Sequence, residues 1–169
     1  MVNVATEAEA KPSAASARAA GADDPFLAAF VGYWRTLVRD SGRLPTRAEV
    51  NPPGMPALLT RLLVADAPVR GRLCRIQVAG LGIEDVHGMP LTGCAVDTGR
   101  FASGEDSLLP RLLRAAPRCR GLVYGEGSWI TSQGERLFGR GVGAPLGDGG
   151  TAVTGVVVCL ATLEAAETA

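Results

Sequence analysis

Few side chains in this sequence are placed to do chemistry. His87 is the single histidine, and it falls in a turn before Gly88-Met89-Pro90, where a solvent-exposed side chain is expected. A nucleophilic centre built on it lacks a GxSxG elbow to present a serine. No pair of carboxylates falls on one helical face to serve as acid and base. Cys74, Cys94, Cys119 and Cys159 are far apart, with no CxxC pair and no CxxCH haem-attachment motif. Without close ligand pairs, no zinc or other metal site is expected. Gly139-Arg140-Gly141-Val142-Gly143 is a GxGxG string, but a dinucleotide fingerprint needs a strand before the glycines and a helix after them. Here the string lies inside a strand-like run that leads to a hairpin signal, so it reads as a strand bend or a close backbone approach. Arg111, Arg114, Arg118 and Arg120 form a basic cluster that reads as a solvated helix face. Tyr124 and Trp129 either line a pocket or pack in the core and at a hairpin tip. This inventory argues against an enzyme, and a cleft near His87 or Tyr124 is the weakest of the alternatives.

The composition is equally restrained. Seventeen basic residues, all arginine except Lys11, balance 17 acidic ones across 169 residues. A polyanion-binding or membrane-surface protein depends on excess positive charge, so neither nucleic acid nor membrane is an expected partner. Aromatic residues make up only 5%, too few for a base-stacking platform. The most apolar run, Thr151 to Leu163, is shorter than the roughly 18 residues needed to cross a bilayer. The first residues lack the apolar stretch of a signal peptide. A cytoplasmic protein with reduced thiols is expected.

The remaining residues position what chemistry there is. Residues 1–22 are rich in Ala, Ser and Glu and are expected to be a disordered tail, as are 164–169. Between them, 23–163 reads as one domain. Asp24-Pro25 is an N-cap followed by a first-turn proline, and Ser41-Gly42 is a helix stop, so a helix is expected over 24–41. Phe26, Leu27, Phe30, Trp34, Leu37 and Val38 share one stripe of it. A short helix around Met55 to Arg61 precedes a strand over Leu62–Ala65. Arg72–Ala79 alternates, with Cys74, Ile76 and Val78 on one face, and Ile83–Val86 offers a single helical turn. A helix is expected over Asp106–Ala116, with Leu108, Leu109, Leu112 and Leu113 inward. Strands are expected at Arg120–Glu126, Arg136–Pro145 and Thr151–Leu163, with Gly147-Asp148-Gly149-Gly150 turning the last hairpin. Such segregated runs indicate an α+β fold with an antiparallel sheet. Val153 through Leu160 is apolar on both faces, so both faces of the sheet must be covered there.

With these elements in place, the sequence resembles the single-domain PAS proteins common in alphaproteobacteria. The matching residues are Tyr33-Trp34-Arg35, Gly42-Arg43-Leu44-Pro45, Arg47-Ala48-Glu49-Val50-Asn51-Pro52, Arg75 through Gly80, and Gly88-Met89-Pro90-Leu91-Thr92-Gly93. Ala144-Pro145-Leu146 before Asp148-Gly149-Gly150 also matches, so the resemblance spans about residues 26–163. Asn51 stands where Asp is more usual, and the segment after Gly93 matches nothing in the pattern.

The resemblance implies a five-stranded antiparallel sheet with short helices over one face and an amphipathic N-terminal helix. It implies a bacterial sensory or protein-interaction module in signal transduction, not a catalyst; with no kinase, cyclase or DNA-binding segment in the 169 residues, its output is expected to act in trans through a partner protein. A small-molecule ligand, when bound, would lie between the inner sheet face and the helices, with Ile76, Val78, Leu112, Tyr124 and Trp129 as lining candidates. A homodimer would form through the N-terminal helix and outer sheet face, using Phe26, Phe30, Trp34 and Leu37. A haem-binding member would need a ligand such as His on the helix facing the pocket, and His87 is expected upstream of it. Flavin-binding light sensors of this fold carry a reactive cysteine near the position of Cys94, within a signature containing Asn, Arg and Gln. Here Gly93-Cys94-Ala95-Val96-Asp97 lacks those residues, so Cys94 reads as a packing cysteine and no cofactor is expected. The alternative is a ligand-free interaction adaptor, its pocket filled by Leu108, Leu109, Leu112 and Leu113.

Overall fold

The computed structural model describes residues 5–6, 24–51, 56–68, 70, 73–98 and 107–165. The first long element is helix α1, Pro25–Ser41, and both of its ends follow from sequence chemistry. Asp24 accepts from the backbone N–H groups of Phe26 and Leu27 at 2.9 and 3.1 Å. Gly42 closes the helix in the left-handed conformation, φ 68°, and its N–H reaches the Val38 carbonyl. A cap of this kind contributes on the order of 1 kcal/mol.

Helix α2, Pro56–Leu59, leads into strand β2, Leu62–Asp66, and then β3, Leu73–Ala79. Helix α3, Leu81–His87, is followed by the three-residue strand β4, Ala95–Asp97. Helix α4, Leu108–Cys119, precedes β5 (Val123–Ile130), β6 (Arg136–Gly147) and β7 (Val153–Ala165). Counting β1, Ala5–Thr6, the antiparallel sheet runs β1-β5-β6-β7-β2-β3-β4. The five expected strands form its centre, and two short strands at its edges add to them. The hairpin between β6 and β7 turns where Gly147-Asp148-Gly149-Gly150 places it.

β7 shows how one chain covers both faces of its sheet. Val156, Val158 and Leu160 pack in one cluster with Leu108, Leu109, Leu112 and Leu113 of α4. Val157, Cys159 and Ala161 pack in the other with Leu27, Phe30, Val31 and Trp34 of α1. Burying each large apolar side chain is worth roughly 1.5–3 kcal/mol, so the two helices hold the sheet from opposite sides. The N-terminal helix is therefore the cover that the two-sided last strand demanded, and it comes from the same chain.

Several boundaries differ from expectation: β5 runs on to Ile130 and β6 to Gly147, the turn at 83–86 is a helix from Leu81 to His87, and three further shifts have clear local reasons. α4 runs through Pro117 to Cys119, because its buried leucine face outweighs the one backbone bond that proline forfeits. Arg120, expected to open a strand, instead ends the helix at φ 51°, and β5 starts at Val123. β7 continues to Ala165, paired with Leu137, so the domain extends past 163. The tail expected over 1–22 lies outside the described residues, apart from Ala5–Thr6, which pair with Tyr124 and Val123.

The segment after α1 is held by side chains from the family-like motifs. The Tyr33 hydroxyl donates to the Glu49 carbonyl at 2.8 Å and accepts from the Asn51 N–H at 2.8 Å. Arg43 grips the Glu49 carboxylate with two donors at 2.8 and 3.0 Å, and the Thr46 N–H adds a third at 2.7 Å. Arg43 and these N–H and O–H donors pull the Glu49 pKa down to about 2. Tyr33, Arg43 and Glu49 thus clasp the turn over 43–51 to the helix.

Candidate functional site

The inner sheet face is paved with glycine where α4 crosses it. A Cβ on Gly125 would lie 3.2 Å from Leu112 Cδ2, and one on Gly143 would lie 3.3 Å from the Leu112 carbonyl. At Gly141 it would meet Leu112 Cδ1 at 2.9 Å, Leu160 Cδ2 at 3.0 Å and the Cys159 carbonyl at 3.1 Å. The GxGxG string is therefore a seat for the helix, and β7 is bulged opposite it, where the step from Gly139 to Gly141 faces the longer step from Leu163 to Leu160. Leu108, Leu112 and Leu113 are fully buried in this seat, so the middle of the inner face is closed.

Space remains where the N-terminus of α4 meets the far end of β5. A cavity of about 230 Å³ opens there, lined by Ile76 of β3, His87 of α3, and Leu91 and Cys94 of the following turn. Ala95 and Val96 of β4, Ser107, Leu109 and Pro110 at α4, and Ser128, Trp129 and Ile130 of β5 complete it. Among the described residues, the lining holds no carboxylate, guanidinium, ammonium or amide side chain. Its size lies below the roughly 300–1,000 Å³ of sites for drug-sized molecules. Among the described residues, no group of three or more His, Cys, Asp or Glu could hold a metal.

His87 and Trp129 are the cavity's directional pair. Trp129 Nε1–H donates to His87 Nδ1 at 3.2 Å, and the rings meet edge-on with centroids 5.8 Å apart. A neutral imidazole accepting at Nδ1 carries its proton on Nε2, which leaves one N–H for a further partner. Ser132 N–H donates to the His87 carbonyl at 2.9 Å and ties the β5–β6 hairpin to the end of α3. The expectation of a solvent-exposed turn is corrected: His87 closes a helix, is half-buried, and serves a buried indole that needs an acceptor.

Burial pulls the His87 pKa below its ordinary value of 6.5. Below that pH the unfolded chain takes up the proton first, and a proton on Nδ1 would displace the Trp129 bond. The stability contributed by this pair is thus complete above pH 6.5 and drains away as pH falls through the depressed folded value. Urea midpoints measured from about pH 7.5 down to about pH 5.5 should fall more steeply for the native protein than for His87→Gln, whose amide still accepts but does not titrate. Parallel profiles would contradict this assignment.

Glu84 supports the site from one turn earlier in α3. Its carboxylate accepts from the N–H groups of Leu91 and Thr92 at 2.8 and 3.2 Å, and these bonds lower its pKa. They hold the Met89–Gly93 turn, and with it Leu91, against the cavity.

The five candidate lining residues divide. Ile76 and Trp129 line the cavity. Leu112 is buried beside it in the glycine seat. Tyr124 faces the other side of the sheet, in the cluster under α1, because β5 alternates and places Val123 and Trp129 inward. Val78 is 45% exposed on the outer face. Val64 pairs with Val78 while Ala65 pairs with Ile76, so Gln77 is an extra residue in β3 and inverts the alternation after Ile76.

The dimer candidates also need correction. Phe30 and Trp34 are buried against their own sheet and cannot face a second subunit. Phe26 is half-buried with the Arg61 guanidinium 3.9 Å over its ring, and Leu37 is half-buried. Cys74 and Cys159 are packing residues, and burial pushes their thiols up to about 11 and about 12. Cys94, expected as a packing cysteine, lines the cavity.

Comparison with known proteins agrees with this architecture. A search of curated proteins finds no match. Among solved structures, a cysteine-to-serine mutant of Vivid superposes with a TM-score of 0.51 at 16% identity, covering 79% of this chain and 99% of that one. The photo-excited blue-light photoreceptor Vivid gives 0.50 at 16% identity, covering 79% and 94%. At that identity the likeness is one of fold. The family model described as PAS domain matches residues 23–123, which runs from α1 through α4 into β5. The chain belongs to the PAS domain family.

Proposed function

We propose that this PAS domain is a non-catalytic sensory module that takes a small, largely apolar ligand in the cavity beside His87 and Trp129. The observation that carries the reading is the cavity's make-up: an apolar wall with one hydrogen-bonding corner, at the junction of α3, α4 and the β5–β6 hairpin. A ligand there touches elements from opposite ends of the inner face, so differential affinity for two arrangements would shift their population. A partner protein that prefers one arrangement would read the signal. The unpaired packing cysteines Cys74 and Cys159 suit a reducing compartment, and we place the protein in the cytoplasm. A homodimer through the outer face would use Ile130 and Phe138, 47% and 48% exposed, in place of the buried Phe30 and Trp34.

The test is native mass spectrometry of protein purified without refolding, alongside Ala95→Phe. Ala95 sits on the rim of the cavity, in an exposed edge strand, so phenylalanine can plug the space without displacing core residues. The expected result is a stoichiometric small-molecule adduct on the native protein and at least tenfold less on the variant. Bare mass in both samples favours the second reading, an interaction adaptor. That reading rests on Leu108, Leu112 and Leu113 already filling the centre of the inner face.

A further inference from the structure

Strand β7 outruns its neighbour. Pairing with β2 begins at Leu62 opposite Cys159, and the flanking Leu160 N–H reaches the Arg61 carbonyl at 3.0 Å. Beyond that point β7 stays paired with β6, Phe138 opposite Glu164 and Leu137 opposite Ala165. Among the described residues, no strand covers the other edge of 161–165. A bare edge is a template for another chain, and proteins usually blunt one with lysine, proline, a bulge or a covering loop. The stretch Ala161-Thr162-Leu163-Glu164-Ala165 contains neither lysine nor proline, and although β7 is bulged at 161–162, the pairing with β6 is regular again from Leu163 to Ala165.

Beside this edge lies a notch of about 230 Å³, lined by Thr60, Arg61, Gly82, Ile83, Val86, Leu160 and Ala161. Val86 is 40% exposed, and Leu81 on the same short helix is 69% exposed. The Arg61 guanidinium is steadied by the Phe26 ring, and no carboxylate among the described residues pairs with it. Three features therefore converge: unpaired strand edge, apolar notch and uncommitted cation.

We infer that residues 161–165 and the adjoining notch receive an extended peptide segment of a partner protein, added to the sheet as a strand. The segment places an apolar side chain between Ile83 and Val86 and an acidic one on Arg61. The strand edge favours a peptide over a small amphiphile, since main-chain groups are what such an edge pairs with while side-chain pockets set specificity. Arg61 favours an acidic segment over a basic one. This surface shares no lining residue with the His87–Trp129 cavity, so either can fail without the other.

The probe is a fluorescein-labelled heptapeptide of alternating threonine and valine with a C-terminal glutamate, followed by fluorescence anisotropy. A second peptide carries N-methyl groups on alternate backbone nitrogens, which removes strand donors and keeps the side chains. The expected result is saturable binding of the first peptide, its loss on N-methylation, and weakening by about tenfold or more in Arg61→Glu. Should that variant fail to fold, Val86→Lys at the exposed wall of the notch is expected to weaken binding similarly. No saturable change up to about 1 mM peptide, equal binding of the N-methylated peptide, or indifference to the folded variants would overturn the inference.

Discussion

Replacing Gly141 with valine is expected to cost the fold about 2–3 kcal/mol, read as a fall in the urea midpoint at unchanged slope. Valine suits a strand better than glycine by up to roughly 1 kcal/mol, so a bare propensity argument predicts a gain. The packing argument predicts the reverse. The first added carbon already lies 2.9 Å from Leu112 Cδ1 and 3.1 Å from the Cys159 carbonyl, and the carbonyl belongs to a paired strand that cannot yield. Relief has to come from lifting α4, which carries the fully buried Leu108, Leu112 and Leu113 with it. Gly32 is the control of opposite sign. It lies on the exposed side of α1, and a methyl added there would meet nothing within 4 Å, so Gly32→Ala should stabilise by about 0.5–1 kcal/mol. A neutral Gly141→Val would mean that α4 does not rest on the sheet.

Trp129→Ala carries the other large effect, an expected loss of about 3–5 kcal/mol. The indole is only 6% exposed, and its removal both opens a void and leaves His87 Nδ1 without its donor. A double-mutant cycle with His87→Ala separates these contributions: the coupling between the two positions should be about 1 kcal/mol, the value of one edge-on ring pair with a hydrogen bond. Trp129→Phe keeps much of the bulk but not the N–H, and is expected to lose about half as much or less. Additive single mutants would show that the ring contact and its hydrogen bond contribute nothing in solution.

Most of the architecture was legible because it is written in local patterns. Asp24-Pro25 and Gly42 delimit α1, Gly147 through Gly150 turn the last hairpin, and the two-sided apolar run of β7 demands a cover on each face, which α4 and α1 supply. The GxGxG string reads as a close approach because its context excludes a phosphate loop. What escaped depends on single residues whose effect is not local. Gln77 is an ordinary polar residue in an alternating strand, yet as a bulge it turns Val78 outward. His87 sits among turn residues, and nothing nearby in sequence reveals that an indole 42 positions later will claim its Nδ1. Glu84 reads as a solvated helix residue until its bonds to Leu91 and Thr92 form. A buried indole N–H favours an acceptor, but the sequence does not say which tryptophan His87 serves, and the equally buried Trp34 Nε1 goes without a partner among the described residues. The aromatic stripe of α1 does mark a docking face, but the surface it docks on is its own sheet.

In this PAS domain α4 on its glycine seat closes the middle of the inner sheet face, and a mainly apolar cavity remains at the His87–Trp129 end. A crystal of the purified protein under xenon pressure tests this arrangement, because xenon settles where a cavity wall is apolar. The account predicts one strong site among Ile76, Leu91, Val96 and Leu109, absent in Ala95→Phe, and no density between Leu112 and Gly141. Xenon beneath α4, or none beside Trp129, would contradict it.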